Sequence, residues 1–199
     1  MRPALLKSLT IRDTQIDNLD LTNATIKGDV LMERVRGGSV KAWLNASANI
    51  VLRNSQFTPK PGIPYEFQLA AVNAINVLID TVDIRGDGTI LIGFGAIGKD
   101  PANIPPPQNK SFVVRSSVFS NLDSSFLNSE SVRFEGKQID RLNMADSRIG
   151  RLEMSNTKIA YALDLTNTQA KQQNIGLYAG GMLGRIDKLE GSNIKLEKR

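Results

Sequence analysis

The chain of 199 residues contains no cysteine and no histidine. Without cysteine there are no disulfides, iron–sulfur clusters, thiolate zinc sites or cysteine nucleophiles. Without histidine the chain lacks the commonest general base, the commonest transition-metal ligand and any Ser-His-Asp triad. Only carboxylates, Lys, Tyr, Ser and Thr remain for catalysis, so these two absences argue against most classes of enzyme.

Long hydrophobic runs are missing as well. The longest apolar stretches, AINVLI (74–79) and ILIGFGAIG (90–98), are too short to span a bilayer, and we expect no transmembrane segment. The opening MRPALLKSLT lacks the apolar core of a secretory signal. We therefore expect a soluble protein of the bacterial cytoplasm or cell envelope, and the sequence does not choose between them.

Aromatic residues make up only 6% of the chain, which is few for a protein that stacks sugars. The net charge of +5 would suit an anionic partner. However, acidic and basic residues are mixed rather than blocked, as in the C-terminal RIDKLEGSNIKLEKR. This mixing favours a solvated surface over a dedicated nucleic-acid site, and no specific nucleic acid is expected.

What the chain does have is an apolar residue at every fifth position in two blocks. The N-terminal centres are Ile11, Ile16, Leu21, Ile26 and Leu31. The C-terminal centres are Phe134, Ile139, Met144, Ile149, Met154 and Ile159, followed after a one-residue slip at Ala162 by Leu165 and Ala170. A second register, two positions before each centre, alternates larger and smaller residues. The pentamer LDLTN occurs in both blocks, at 19–23 and 163–167.

A spacing of five fits neither a helix, with its period of about 3.6, nor a strand, with its period of 2. It fits a chain that turns a corner every five residues and keeps the central side chain inside. Four such sides would close one coil, and coils would stack at about 4.8 Å, the spacing of neighbouring strands. The sequence therefore predicts an all-β fold, a parallel β-helix whose interior is filled by the centres.

The segments LDLTN, LNMAD and ATIKG resemble the pentapeptide-repeat family, whose consensus is a small residue or Leu, then Asp or Asn, then Leu, then two polar positions. The resemblance covers about residues 6–57 and 112–170, and it implies a right-handed quadrilateral parallel β-helix. Thr10, Arg148 and Lys158 depart from the consensus before the centre. A three-sheet β-helix is the competing geometry.

We expect a single β-helical domain over residues 1–199, with an N-terminal repeat block at 6–57 and a C-terminal repeat block at 112–170. Between them, residues 58–111 are predicted to form irregular or wider coils with two Pro-rich loops, TPKPGIP and DPANIPPPQNK. A separately folded insertion is the alternative. Residues 171–199 are predicted to hold a joint, YAGGMLG (178–184), and a terminal cap centred on Leu189 and Ile194.

The sharpest polar constellation is DTVDIRGDG, which places Asp80, Asp83 and Asp87 near Arg85. Some parallel β-helices use acidic residues on one face to bind metals or to cleave polysaccharides as an acid/base pair. Asp80 and Asp83 are separated by an odd number of positions, so a straight strand would point them to opposite sides. Asp87-Gly88 is typical of a turn. We therefore assign no catalytic, cofactor or metal residue.

Other motifs have structural explanations. Gly93, Gly95 and Gly98 match G-x-G-x-x-G, but a Pro run follows where a dinucleotide site needs a helix. Pro105, Pro106 and Pro107 predict a stiff surface loop, with docking as the alternative. Trp43 is interpreted as wall packing. The sequons at Asn23, Asn45 and Asn109 are expected by chance in an Asn-rich repeat.

From the sequence we expect a non-catalytic β-solenoid that needs no cofactor and docks on protein partners, with self-association through its ends as a further mode. Carbohydrate binding or cleavage by Asp80, Asp83 and Asp87 is the alternative. Some pentapeptide-repeat proteins mimic DNA and bind topoisomerases, but that role needs an acidic surface, and the net charge here has the opposite sign.

Overall fold

The structure is a computed structural model that describes residues 5–22, 24–46, 48–58, 67–71, 74–92, 109–177 and 186–196. In these ranges the regular structure is β-strand throughout, with no helix. The strands are β1 Leu5–Leu6, β2 Leu9–Asp20, β3 Ala24–Ile26, β4 Val30–Ala46, β5 Asn49–Phe57, β6 Phe67–Ala71, β7 Asn76–Ile92, β8 Ser111–Asp123, β9 Asn128–Asn143, β10 Arg148–Asp164, β11 Gln169–Leu177 and β12 Ile186–Lys188.

These strands form a parallel β-solenoid of about seven turns. Their order is β1-β3-β4-β5-β7-β8-β9-β10-β11, with β2 paired to β4, β6 to β4 and β7, and β12 to β10. Every pair is parallel. The prediction of an all-β parallel β-helix is confirmed.

The pairing register gives the length of a coil. Phe112 pairs with Val132, and Asn128 pairs with Arg148, so in these coils each residue lies below the one 20 positions later. A 20-residue coil holds four five-residue sides, which agrees with four inward centres per coil and favours four sides over three. Backbone hydrogen bonds between coils therefore run along the solenoid axis.

Two columns of left-handed residues mark opposite corners. In the C-terminal block these residues follow one another at intervals of ten or eleven, which is half a coil: Ser116, Phe126, Gly136, Asp146, Asn156 and Asn167. For the non-glycine members φ lies between 50° and 57°. A residue in this region bends the strand at the corner, and Asn and Asp tolerate this conformation better than most residues do. The corners explain how strands of up to 17 residues bend around the coil.

The core is the stack of predicted centres. All eight centres of the C-terminal block, from Phe134 to Ala170, are buried, with exposures of at most 5%. The second register is buried from Leu142 to Thr157, including the hydroxyl residues Ser147 and Thr157. The hydroxyl of Ser147 accepts a hydrogen bond of 3.1 Å from the backbone N–H of Leu127 in the coil below. The small residue thus fits the corner and satisfies a buried backbone donor.

In the N-terminal block the predicted centres hold through Ile26, which is fully buried, while Ile11, Ile16 and Leu21 are partly buried against the core. The prediction for Leu31 is wrong by one position. Met32 points inward instead and pairs with Ile11. The reason is one extra residue before β4, which lengthens this coil to 21 positions, as the pairing of Leu9 with Val30 shows.

The two LDLTN copies lie at equivalent structural positions, at the end of a long strand. In each, a long strand ends at the Asp, and a turn follows. Asp20 Oδ1 accepts the backbone N–H of Thr22 at 2.8 Å, and Asp164 Oδ1 accepts that of Thr166 at 3.0 Å. The Asp of the pentamer therefore closes the turn by a local side-chain to backbone bond.

The described residues of the middle section pair within the same solenoid, in coils that contain more residues. Asn49 pairs with Asn76, and Asn76 pairs with Ser111, so these coils have 27 and 35 positions. The Pro-rich loops, the 93–98 glycines and Pro105 to Pro107 lie outside the described residues.

Near the C-terminus, β12 pairs with β10, and the chain then lies over the last repeat. Leu189 is partly buried against the core and Ile194 is 5% exposed, as their predicted spacing requires. Asn193 holds this segment in place: its Oδ1 accepts the backbone N–H of Ala170 and its Nδ2 donates to the carbonyl of Ala170, at 2.9 and 2.8 Å. The predicted joint at 178–184 is outside the described residues.

Candidate functional site

The predicted acidic cluster lies on β7, where the chain turns the corner at Thr81 (φ 57°). Ile79 and Val82 point inward on either side of the corner and are buried. Asp80 and Asp83 both keep partly exposed side chains, at 20% and 32%. The expectation that these carboxylates face opposite sides of a strand is therefore wrong, because the left-handed corner interrupts the alternation.

Asp80 is tied to the next coil. Arg115 Nη2 donates a 2.8 Å hydrogen bond to Asp80 Oδ2, and the Thr81 hydroxyl donates one of 3.1 Å to Oδ1. The bond from Arg115 is the main reason that the pKa of Asp80 lies below its usual value, and partial burial opposes it only in part. A carboxylate held as an anion in this way is a poor general acid at neutral pH.

Asp83 pairs within its own strand. Arg85 Nε lies 2.6 Å from Asp83 Oδ1, but the N–H does not point at that oxygen, so the contact is an ion pair without a directed hydrogen bond. The side chain of Asp87 lies outside the described residues. In the described ranges, no group of three or more acidic side chains could hold a metal ion.

Asp80 belongs to a column of alternating charge that sequence analysis missed. Its members stand one position before the left-handed corner in successive coils, and each pairs with the next in the parallel register. From the N-terminal coil upward they are Arg12, Glu33, Arg53, Asp80, Arg115 and Glu135. We call this column the charge ladder. Because neighbouring coils are about 4.8 Å apart, equal charges here would repel, and alternation favours this register.

Glu33 is the most buried member of the charge ladder, with its side chain 8% exposed. Three guanidinium groups surround its carboxylate: Arg12 Nε at 3.1 Å, Arg34 Nη1 at 2.8 Å and Arg53 Nη2 at 2.9 Å. Arg34 also pairs with Asp13, with Nε 2.5 Å from Oδ1 and Nη2 2.8 Å from Oδ2. This hydrogen-bonded Arg34 is the main cause of the lowered pKa of Asp13.

The charge ladder runs along one edge of a side of the solenoid, which we call the wall. A hydrogen-bonded polar column runs along the other edge of this wall. Asp29 Oδ1 accepts the side-chain amide of Asn49 at 2.9 Å, and Asn76 Nδ2 donates to Asn49 Oδ1 at 2.8 Å. The Ser111 hydroxyl then donates to Asn76 Oδ1 at 2.9 Å. Between this column and the charge ladder, Leu31, Val51, Leu78 and Val113 pair in sequence, each partly exposed. The wall is thus tied coil to coil on both sides.

Around the corner from the charge ladder lies an open groove of about 760 Å³ that runs along the solenoid axis. We call it the corner groove. It contains the side chains of Asp83 and Arg85 from the predicted cluster. Its charged lining residues are Asp13, Arg34, Arg36, Asp83, Arg85 and Lys137, and polar residues such as Asn54, Gln56 and Ser116 lie between them.

The charges of the corner groove do not cancel. Asp13 pairs with Arg34, and Asp83 pairs with Arg85. Arg36 and Lys137 are exposed, and neither has an ion-pair partner within the part of the chain that the structure describes. The groove therefore presents two uncompensated cations, and the arrangement suits an anionic ligand better than it suits acid/base catalysis.

Asn109, one of the three sequons, has a structural role. It is 1% exposed, its Nδ2 donates to the carbonyl of Ala74 at 3.0 Å, and its Oδ1 accepts the Ser129 hydroxyl. A side chain buried in this way is not available for glycosylation. Asn23 lies outside the described residues, as do the side chains of Asn45 and Trp43.

The chain matches no protein-family model, no curated protein and no solved structure. The resemblance to pentapeptide repeats thus depends on the repeat motifs of the sequence alone and stays a prediction.

In the described ranges there is no helix with the length and hydrophobicity that a membrane crossing needs.

Proposed function

We propose that this chain is a non-catalytic β-solenoid that docks on other proteins, as a scaffold or as a subunit of a larger bacterial assembly. The observation that supports this most is the ion pairing of the candidate cluster. Asp80 and Asp83 are both engaged by arginines, which is the chemistry of a structural wall and not of a general acid and base. Rigid walls of this kind offer a preorganised surface, which reduces the entropic cost of binding.

Self-association through a solenoid end is a second mode of docking. In the described part of the chain, β2 pairs only with β4, so its other edge has no strand partner. Its apolar residues Leu9, Ile11, Ile16 and Leu19 are only partly buried. An open strand edge over a half-covered core is a template for another strand. Size-exclusion chromatography with light scattering tests this mode, and a strict monomer at high concentration would contradict it.

Two other functions have less support. A polysaccharide-cleaving β-helix would need free carboxylates near each other, whereas Asp80 has its pKa lowered by Arg115 and Asp83 is paired with Arg85. A DNA mimic would need a surface that reproduces the phosphate potential, and the net charge of +5 opposes it.

A pull-down from the native host, with the folded chain as bait, tests the proposed function. The matched control is the Met144→Asp variant, which we expect to be unfolded in its C-terminal block. Proteins retained by the folded chain alone would support docking. Release of oligosaccharides from an acidic polysaccharide, with loss of that activity in Asp80→Asn or Asp83→Asn, would contradict a non-catalytic role.

A further inference from the structure

We propose that the corner groove binds an extended acidic segment of a protein partner, one that presents two carboxylates six residues apart. This inference rests on the proposed docking function and names the surface and the chemistry of the partner. It follows from where the uncompensated cations lie, how far apart they are, and what lies between them.

The two cations lie in different coils of the corner groove. Arg36 lies in the coil of β4, and its register partners in the next coils are Gln56, Asp83, Val118 and Gln138. Lys137 directly precedes Gln138, at the left-handed corner of its coil (φ 59°). Four coil steps therefore separate Arg36 from Lys137 along the axis, which at about 4.8 Å per step is about 19 Å.

This separation specifies the ligand. An extended peptide advances about 3.3 Å per residue and places alternate side chains on one face. A span of about 19 Å thus corresponds to about six residues. Because six is even, residues i and i+6 point to the same face. Carboxylates at these two positions would reach Arg36 and Lys137 together.

Between the cations the groove offers hydrogen-bonding groups for a peptide backbone. Asn54, Gln56 and Ser116 are exposed, and their side chains make no hydrogen bond among the described residues. A backbone laid across the coils presents an N–H or a carbonyl at every residue, and each of these groups needs a partner. The free amides and hydroxyl can supply such partners.

A nucleic acid fits less well. Each strand of a DNA duplex carries a phosphate about every 3.4 Å along the helix axis, far denser than two cations about 19 Å apart. Single-strand sites also use aromatic side chains on which bases stack, and the groove lining contains no aromatic residue among those the structure describes.

The direct test uses fluorescence anisotropy with two blocked nine-residue peptides of Ser, Thr and Gln that differ only in the position of two Asp residues. In the matched peptide the Asp residues stand second and eighth, and in the control they stand second and fifth, on opposite faces. We expect the matched peptide to bind about fivefold more tightly, as one additional exposed ion pair allows, and added salt to reduce the difference. Equal affinity for both peptides would overturn the proposal.

Variants locate the site. Arg36→Gln and Lys137→Asn should each remove the preference for the matched peptide, and Asn is chosen because it tolerates the left-handed corner. Lys171→Gln is the control, since Lys171 is exposed, outside the groove and has the same charge. If Lys171→Gln weakens binding as much as the groove variants do, the peptide does not bind in the corner groove. Tighter binding of a polyuronate or of single-stranded DNA, lost in the groove variants, would contradict a peptide ligand.

The same variants separate this inference from the proposed function. If the wild-type chain captures a host partner and the Arg36→Gln/Lys137→Asn double variant does not, both the docking function and the groove assignment are supported. If both chains capture that partner equally, docking stands and the groove assignment fails. If no partner is captured but the matched peptide binds preferentially, the groove assignment stands and the proposed function fails.

Discussion

Replacing Glu33 by Gln tests whether the charge ladder stabilises the solenoid. The side chain is 8% exposed and contacts Arg12, Arg34 and Arg53 within 3.1 Å. Removing one partner of a fully buried ion pair costs about 3–5 kcal/mol, and of an exposed one about 0–1 kcal/mol. Here the carboxylate is buried, but the arginines are 42–51% exposed, so water can solvate them in the variant. We therefore expect a loss of about 2 kcal/mol.

For a chain of this length a loss of about 2 kcal/mol lowers Tm by about 4–8 °C. Thermal unfolding followed by circular dichroism measures this shift. Glu190→Gln is the matched control, because Glu190 is exposed and its side chain makes no hydrogen bond or ion pair among the described residues. Tm values within about 1 °C of each other for the two variants would refute the stabilising role of the ladder.

Three further changes test the packing and the ion pairs. Met144→Asp buries an unpaired charge at a fully buried centre and should cost at least about 3 kcal/mol, seen as a lowered Tm; unchanged stability would mean a wrong repeat register. Gly150→Ala would push a methyl group into the backbone of the coil below and should cost about 1–3 kcal/mol by urea unfolding, whereas Gly176→Ala, with its nearest neighbour 3.8 Å away, should be tolerated. Arg115 lowers the pKa of Asp80 below the ordinary Asp value of 3.8. The stability that this ion pair gives the folded chain is therefore complete above pH 3.8 and is lost as the pH falls through the lowered pKa. Asp80→Asn should therefore lower Tm at pH 7 and have a shrinking effect below pH 4; a constant difference would contradict the pairing.

Much of the fold could be predicted from the sequence because the fold is local and repetitive. Each side of a coil is five residues long, so inward positions such as Met144 and Ile149 could be read from spacing alone. The position of Leu31 was mispredicted because one inserted residue shifts the phase without disturbing the apolar pattern, as Val30, Leu31 and Met32 are all apolar. Only the register between coils shows that Met32 is the inward residue.

The site was harder to predict because it depends on contacts between coils. Arg12, Glu33 and Arg53 are spaced by about one coil, so this part of the charge ladder has a sequence signal. Asp80 and Arg115 are partners across 35 positions, and no fixed period reveals such a pair. The alternation rule also failed at Asp83, because a left-handed Thr81 could not be foreseen from a residue type that seldom adopts that conformation.

The fold and the charge ladder both depend on the stacking of residues one coil apart, and the absence of native cysteine makes this stacking directly measurable. Gln138 and Lys158 are register partners on adjacent coils, so their Cα atoms are about 4.8 Å apart, within the disulfide range of about 4.4–6.8 Å. The double variant Gln138→Cys/Lys158→Cys should form an intramolecular disulfide under mild oxidation, detected by mass spectrometry. Gln138→Cys/Arg148→Cys, closer in sequence but half a coil away, should not. Efficient cross-linking of the second pair and none of the first would contradict the solenoid.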